Sequence, residues 1–379
     1  MDFDLTDIQR QLQSMVTAFM EKECPPAVIR SYDEADRYPT EIYEKMAAAG
    51  WFGLPLPVAW GGTEGTAMDL ALMFETIAKH WMALAAIYHT AAVFPLSILH
   101  SGTAEQHERY LRDMAEGKAR FAFGLTEPGA GSDAGAVKTT AVQHGDEFVL
   151  NGAKVFTSGA DVADWIILVV RTNLAMRGSS GLSVVLVDAR APGIQIRAIP
   201  KLGIKGLSTC EVFLDDVRVP VENLLGGADQ GWKVVMQTLE LERLSVAARC
   251  TGGCQAVLED AVRYANERKQ FGQHIGKFQA IQHIIADMEI AVQASRLLTY
   301  RLAWMIDKGL PCALEASVAK VYTAEAYNRV ATMGVQVLGG YGYTMEYAMQ
   351  RHFRDAKLYE IGGGTSQIQR GLIAKAIGL

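Results

Sequence analysis

Apolar positions recur at three- and four-residue spacing from Leu5 to about Glu116, in runs such as "TDIQRQLQSMVTAFMEKE" and "TAMDLALMFETIAKHWMALAAIYHTAAVF", and that spacing predicts amphipathic helices. "LPLPVAWGGTEG" interrupts them with turn-forming residues. From about Phe121 the period falls to two: "EFVLNGAKVFTS", "DWIILVVRT", "GLSVVLVD", "IQIRAI" and "CEVFLDDVRVP" are short, rich in Val and Ile, and bounded by Gly, Pro, Asn and Asp. They predict a small antiparallel β domain. After "NLLGGADQG" the helical period returns in three long segments, "WKVVMQTLELERLSVAARCTGGCQAVLEDAVRYANER", "FQAIQHIIADMEIAVQASRLLTYRLAWMIDKG" and "CALEASVAKVYTAEAYNRVATMGVQVLG", which are expected to pack as a bundle. The succession all-α, all-β, all-α argues against a doubly wound sheet, which needs strands and helices in alternation. The expected class is α+β, mostly α, with a helical domain over residues 1–119, a β domain over 120–230 and a helical bundle over 231–379.

Composition narrows the partners. Half of the 379 residues are apolar, enough for a sizeable core, and the formal charge of −6 is spread without a basic run. Nucleic acid and polybasic membrane contacts are therefore not expected. The first residues, "MDFDLTDIQR", are acidic where a signal peptide is basic, and no apolar run is read as long enough to span a membrane, so a cytoplasmic address is expected. Cys24, Cys210, Cys250, Cys254 and Cys312 include no CxxC pair and are expected to be buried thiols. The histidines show no ligand spacing, so no metal site is expected.

Two glycine-rich stretches carry the candidate chemistry. "FAFGLTEPGAGSDAG" has the spacing GxGxxxG and runs into a strand pattern, not the helix that a dinucleotide fingerprint requires. Its backbone N–H groups, with the hydroxyls of Thr126 and Ser132, can still serve a flat ligand. "EIGGGTSQ" sets Gly362, Gly363 and Gly364 between two helical patterns with no acid or base among them. Upstream, "TLELERLSVAA" holds Glu240 and Glu242, which lie about 200° apart on a helix and so cannot project into one site. Glu240, three residues before Arg243, is expected to form a surface pair with it. Glu242 shares its face with Thr238, Leu239, Ser245 and Val246, where burial would raise its pKa toward the range of a general base.

Five ordered motifs, "TEPGAGSD", "NGAKVFTSGADVADW", "ERKQFGQHIGKFQAIQ", "QVLGGYGY" and "RDAKLYEIGGGTSQIQR", resemble the acyl-CoA dehydrogenase family over nearly the whole chain. The resemblance implies that family's fold, with a C-terminal four-helix bundle, and an FAD enzyme that oxidises an acyl-CoA to its 2,3-enoyl-CoA. It assigns Phe123, Leu125 and Thr126 to the flavin and Ser132 to both cofactor and substrate. Phe156 would pack on the isoalloxazine and Ser158, Thr in most members, would hydrogen-bond near N5; the alternatives are sheet core and a turn. Arg268, Gln270, Phe271 and Gln279 would hold the FAD of a neighbouring subunit, with an Arg fork suited to pyrophosphate. Gln336, Val337, Gly339 and Gly340 match the adenine side, and Thr365, Ser366 and Gln367 the segment closing over the cofactor. A homotetramer, as a dimer of dimers, and reoxidation by electron-transfer flavoprotein are implied with them.

Most members of that family carry an aromatic residue and then the catalytic Glu just before "GTS"; here Gly362 and Gly363 stand there. Gly363 keeps an N–H that could polarise the thioester carbonyl, but it cannot accept a proton. The isovaleryl-CoA dehydrogenase branch is similar in having small residues at this place and its base in a "LERL" segment, which makes Glu242 the expected base. Glu240, Arg243, Gly362, Gly363 and Gly364 would border the substrate. The missing aromatic ring implies a branched, cyclic or bulky acyl group. The alternatives are an enoyl-CoA reductase working in the opposite direction and a flavin-binding member without catalysis.

Overall fold

The computed structural model describes residues 4–379; Met1–Phe3, the start of the acidic N-terminal stretch, lie outside the described region. The first segment folds as α1 (Asp7–Glu23), α2 (Pro26–Ala35), α3 (Thr40–Ala48), α4 (Ala67–His80), α5 (Met82–Ala92), α6 (Leu96–Ser101) and α7 (Ala104–Ala115). Thr6, Thr66 and Thr103 each cap a helix, with Gln9, Asp69 and Gln106 reaching back to complete the capping box. α5 and α6 lie within Met82–Ser101, which by length and composition is apolar enough to cross a membrane. That corrects the expectation that no run reaches such a length. Here the stretch is 83% buried in the protein interior and is broken by the turn at Val93–Pro95.

The strands are β1 (Phe121–Gly124), β2 (Thr140–His144), β3 (Glu147–Ser158), β4 (Trp165–Arg171), β5 (Leu182–Asp188), β6 (Ile194–Ala198), β7 (Thr209–Pro220) and β8 (Leu224–Leu225). They form one sheet in the order β6-β7-β3-β2-β4-β5-β8, with β1 also on β4. The sheet is mixed and not wholly antiparallel as expected. β1 runs parallel to β4, Phe121 beside Trp165, because the β2–β3 hairpin separates the two in sequence and lets the chain return in the same direction. In β4, Ile167 and Val169 enter a core beneath Leu111, Met114 and Val234, while Ile166, Leu168 and Val170 enter a second core with Val212 and Val217. Burial on both faces explains why this strand reads as a continuous apolar run.

The last segment opens with α8 (Gly231–Glu267), followed by a small ribbon, β9 (Lys269–Gln270) and β10 (Gln273–His274), and then α9 (Gln279–Asp307), α10 (Ala313–Leu338), α11 (Met349–Tyr359) and α12 (Ser366–Ala376). The long helices form the bundle, and α4 is packed against α8 within it. A Cβ at Gly252 would stand 2.1 Å from the carbonyl oxygen of Glu75, so only glycine lets the two backbones come this close. Phe74, Trp81 and Tyr88 consequently share one core with Cys250, Cys254 and Tyr327. All five cysteines are buried free thiols, as expected.

The β domain is fastened to both helical segments. Asp36 accepts the Gly206 N–H at 2.8 Å, and Asp355 accepts the Ile204 N–H at 2.5 Å. Arg354 bridges the two segments by pairing with Asp33 at 2.6 Å.

Candidate active site

α8 presents Glu242 toward the glycine loop between α11 and α12. A Cβ placed on Gly363 would lie 3.3 Å from Glu242 Oε1 and 3.9 Å from Val246 Cγ2, so the carboxylate occupies space that a side chain at position 363 would enter. Gly363 and Gly364 have φ of 66° and 80°, in the left-handed region that favours glycine. Gly362 is different. Its φ is ordinary, and a Cβ there would meet only Leu358, at 3.6 Å and beyond. The loop is fixed through its carbonyls: Gln369 Nε2 donates to Gly363 O at 2.9 Å, and Lys320 Nζ donates to Gly364 O at 2.7 Å. The Gly363 N–H has no acceptor among the described residues.

Glu242 is half-buried, and burial raises its pKa, opposed by the charges of Arg243, Arg249 and Lys320. Ser245, one turn on, is wholly buried; its hydroxyl contacts His89 Nδ1 at 2.8 Å and receives a bond from Arg249 at 3.2 Å. Burial and the nearby Arg249 hold His89 well below the ordinary histidine value, so it is neutral. The expected Glu240–Arg243 surface pair is not formed. Arg243 is buried, with no ion pair among the described residues and with its Nε lacking a partner, whereas Glu240 turns toward Cys312. The i,i+3 spacing would allow the pair, but Arg243 is drawn into the buried side of α8 while Glu240 reaches toward Cys312.

The second glycine stretch is a loop leaving β1. Phe123, Leu125 and Thr126 are half-buried, and Ser132 is exposed in the turn beyond. The Thr126 carbonyl accepts from Val155 N at 2.9 Å, which ties the loop to β3. Beneath it Lys154 donates to Leu125 O at 3.2 Å and to Glu127 Oε1 at 2.8 Å, while Glu127 also accepts the Lys138 and Thr139 amides. Burial pulls Lys154 down to about 8. Burial also pushes Glu127 up, but Lys154 and the amides outweigh it and hold the carboxyl below its ordinary value. Both groups are charged at neutral pH.

Further along β3 the register shifts between Lys154 and Thr157, and Phe156 is left 64% exposed with a φ of 59°. Its ring is therefore not sheet core. A bulky residue held in the left-handed region and facing outward is strained, a condition that collects at ligand sites. Ser158, half-buried, ends the strand.

Arg268, Gln270 and Phe271 come together with Val337, Gly339 and Gly340 in a groove of about 570 Å³, with Tyr264, Tyr341 and Phe278 completing its walls. Gln279 and Gln336 are exposed nearby but do not line it. Thr365 caps α12 by accepting the Ile368 N–H at 3.2 Å; Ser366 is buried and Gln367 exposed. The sequence reading missed Lys320, Gln369, Lys154 and Glu127. A signal existed for Lys320, a lone lysine among small residues in "EASVAKVYTAEA".

Three protein-family models match this chain: acyl-CoA dehydrogenase N-terminal domain over residues 6–118, middle domain over 122–217 and C-terminal domain over 229–378. It is 39% identical over 370 residues to the caffeyl-CoA reductase-Etf complex subunit CarC of Acetobacterium woodii, across 96% of this chain and 97% of that one. Its structure resembles butyryl-CoA dehydrogenase from Megasphaera elsdenii with a TM-score of 0.96, 35% identity and all of both chains covered. It also resembles an FAD complex of PigA, with a TM-score of 0.96, 28% identity and all of both chains covered.

Proposed function

We propose a specific reaction for this chain, which belongs to the acyl-CoA dehydrogenase family: α,β-dehydrogenation of an acyl-CoA to the 2,3-enoyl-CoA, with Glu242 as the base. The family makes it an oxidoreductase of CH–CH groups with FAD as cofactor. The residues present fit FAD. The outward Phe156 ring and the loop of Leu125 and Thr126 suit its isoalloxazine, and the groove holding Arg268 beside Gly339 and Gly340 suits its pyrophosphate and adenine.

The adjacency of Glu242 and Gly363 carries the reading. The carboxylate takes the proton from the substrate α-carbon, and the unoccupied Gly363 N–H donates to the thioester oxygen, where negative charge develops. FAD, held by Leu125, Thr126, Phe156 and Ser158, would supply the hydride acceptor for the β-carbon, with electron-transfer flavoprotein as the onward acceptor of the electrons. The raised pKa of Glu242 makes it a stronger base than a solvated carboxylate while leaving it ionised above its folded value.

Gly362 points to the acyl class. Neither its φ nor its surroundings demand glycine, so its bareness serves room beside the substrate β-carbon, for a branch or a ring. The position of Glu242 on α8 supports a likeness to the isovaleryl-like branch. The exposure of Arg268, Gln270 and Phe271 supports cofactor sharing between subunits in a dimer of dimers. Anaerobic addition of straight, branched, cyclic and aromatic acyl-CoAs to the holoenzyme should bleach the flavin, fastest with the bulkier thioesters, and Glu242→Gln should slow bleaching by about 1,000-fold or more. Normal bleaching by that variant would refute the base, and fastest bleaching by butyryl-CoA would refute the substrate class. A second reading, enoyl-CoA reduction, is favoured by the likeness to the CarC subunit. Faster turnover with reduced electron-transfer flavoprotein and an enoyl-CoA than in the oxidative direction would establish it.

A further inference from the structure

Lys320 lies in the middle of α10 with no exposed surface and, among the described residues, no ion pair. Its Nζ donates a hydrogen bond to the Gly364 carbonyl at 2.7 Å. A neutral donor could make that bond without the cost of burying an ammonium, so the charge itself calls for a reason. The loop provides one. Lys320 and Gln369 hold the carbonyls of the two left-handed glycines, Gly364 and Gly363, and the second of these borders the Glu242 carboxylate. Resting on the assignment of Glu242 as base, we propose that Lys320 is a positioning residue for α-proton removal, clamping the glycine loop through Gly364 and keeping Glu242 ionised by its positive charge.

The surrounding charges are consistent with this division of work. α8 contributes Arg243 and Arg249, beside Glu242 itself and the more distant Glu240; Arg249 stacks 5.2 Å from the Tyr359 ring of α11. α5 contributes His89, which is neutral, and Cys250, pushed up to about 12 by burial, is a neutral thiol. Tyr359 is likewise neutral, its hydroxyl raised by burial. Glu360, ending α11, is the other acid near Lys320. Burial draws Lys320 down to about 8 and Glu242 opposes that shift, just as Lys320 opposes the upward shift of Glu242. Each therefore holds the other in its charged form.

Two variants separate clamp from charge: Lys320→Gln keeps a donor for Gly364 and loses the charge, and Lys320→Arg keeps the charge. Difference infrared spectroscopy of the holoenzyme, referenced to Glu242→Gln, follows the protonated-acid carbonyl band of Glu242 with pH. The band should disappear about one pH unit higher in Lys320→Gln and near the wild-type pH in Lys320→Arg, with the acid limb of kcat/KM for butyryl-CoA moving in parallel. An unmoved band in Lys320→Gln overturns the proposal. A moved band together with full activity of Glu242→Gln would instead sink the base assignment and leave the coupling intact. If Lys320→Gln does not fold, the reciprocal measurement applies. Lys320 is protonated in the unfolded chain to higher pH than in the native one, so stability rises with pH above its folded pKa, and that rise should begin about one unit lower in Glu242→Gln than in wild type. An identical onset also overturns the proposal.

Discussion

Gly362, Gly363 and Gly364 are adjacent and chemically identical, yet the backbone constrains only the last two to the left-handed region. Gly363→Ala forces a Cβ into a left-handed residue 3.3 Å from the Glu242 carboxylate, and should cost about 1–2 kcal/mol of stability as well as displacing the base. Gly362→Ala meets neither obstacle and should melt within about 0.5 kcal/mol of wild type. Thermal unfolding of the pair tests this, and equal losses would remove the distinction. At this scale the sequence was informative where an unusual residue stood on a periodic face: Glu242 is an acid on an apolar helical stripe, and both the burial and the upward pKa follow from it. It offered only a faint mark of Lys320 and none of Gln369, because their bonds run to main-chain carbonyls 44 and 6 residues away, and no periodicity encodes a side chain reaching such a carbonyl.

The element that organises the cofactor side is β3 with the loop it supports. Lys154 and Glu127 are a buried ion pair under that loop, and Lys154→Met would leave the Glu127 carboxylate buried with only amide donors. A loss of about 3–5 kcal/mol in urea unfolding is expected, with weaker retention of FAD on dialysis, and a variant of wild-type stability would show the pair to be dispensable. β3 itself was legible from end to end, since "EFVLNGAKVFTS" alternates between turn residues and folds as Glu147–Ser158. What alternation could not foresee was the irregularity within it. The shift between Lys154 and Thr157 turns Phe156 outward, and a bulge of this kind depends on the partner strand β7, not on the strand's own pattern. The parallel pairing of β1 with β4 was hidden for a related reason, because pairing direction is set by topology and leaves no mark on a short apolar run.

At the scale of the molecule, neutral histidines within the helical core set its response to acid. His352, bonded to the Tyr327 hydroxyl at 3.0 Å, is drawn down to about 3 by burial, and His89 also lies well below its ordinary value. The unfolded chain binds protons at these groups first, so their contribution is intact above about pH 6.5 and is lost as pH falls toward their folded values. At pH 5 each should cost about 2 kcal/mol, partly offset by Glu242 and Asp355, whose raised values act in the opposite sense. Urea midpoints at pH 7.5 and 5 check the slope, which should flatten in His352→Gln; an unchanged slope there would exclude His352 as a contributor. The three-part order of helices, strands and helices could be read along the chain, whereas the single interior joining its first and last parts could not, since that depends on Gly252 admitting the Glu75 backbone. During synthesis this arrangement has a consequence. The ribosome delivers the earliest helices long before α8 and α10 exist to cover Phe74, Trp81 and Tyr88, so the nascent polypeptide exposes a greasy surface through translation of the entire sheet, the kind of surface that favours aggregation until the final helices emerge.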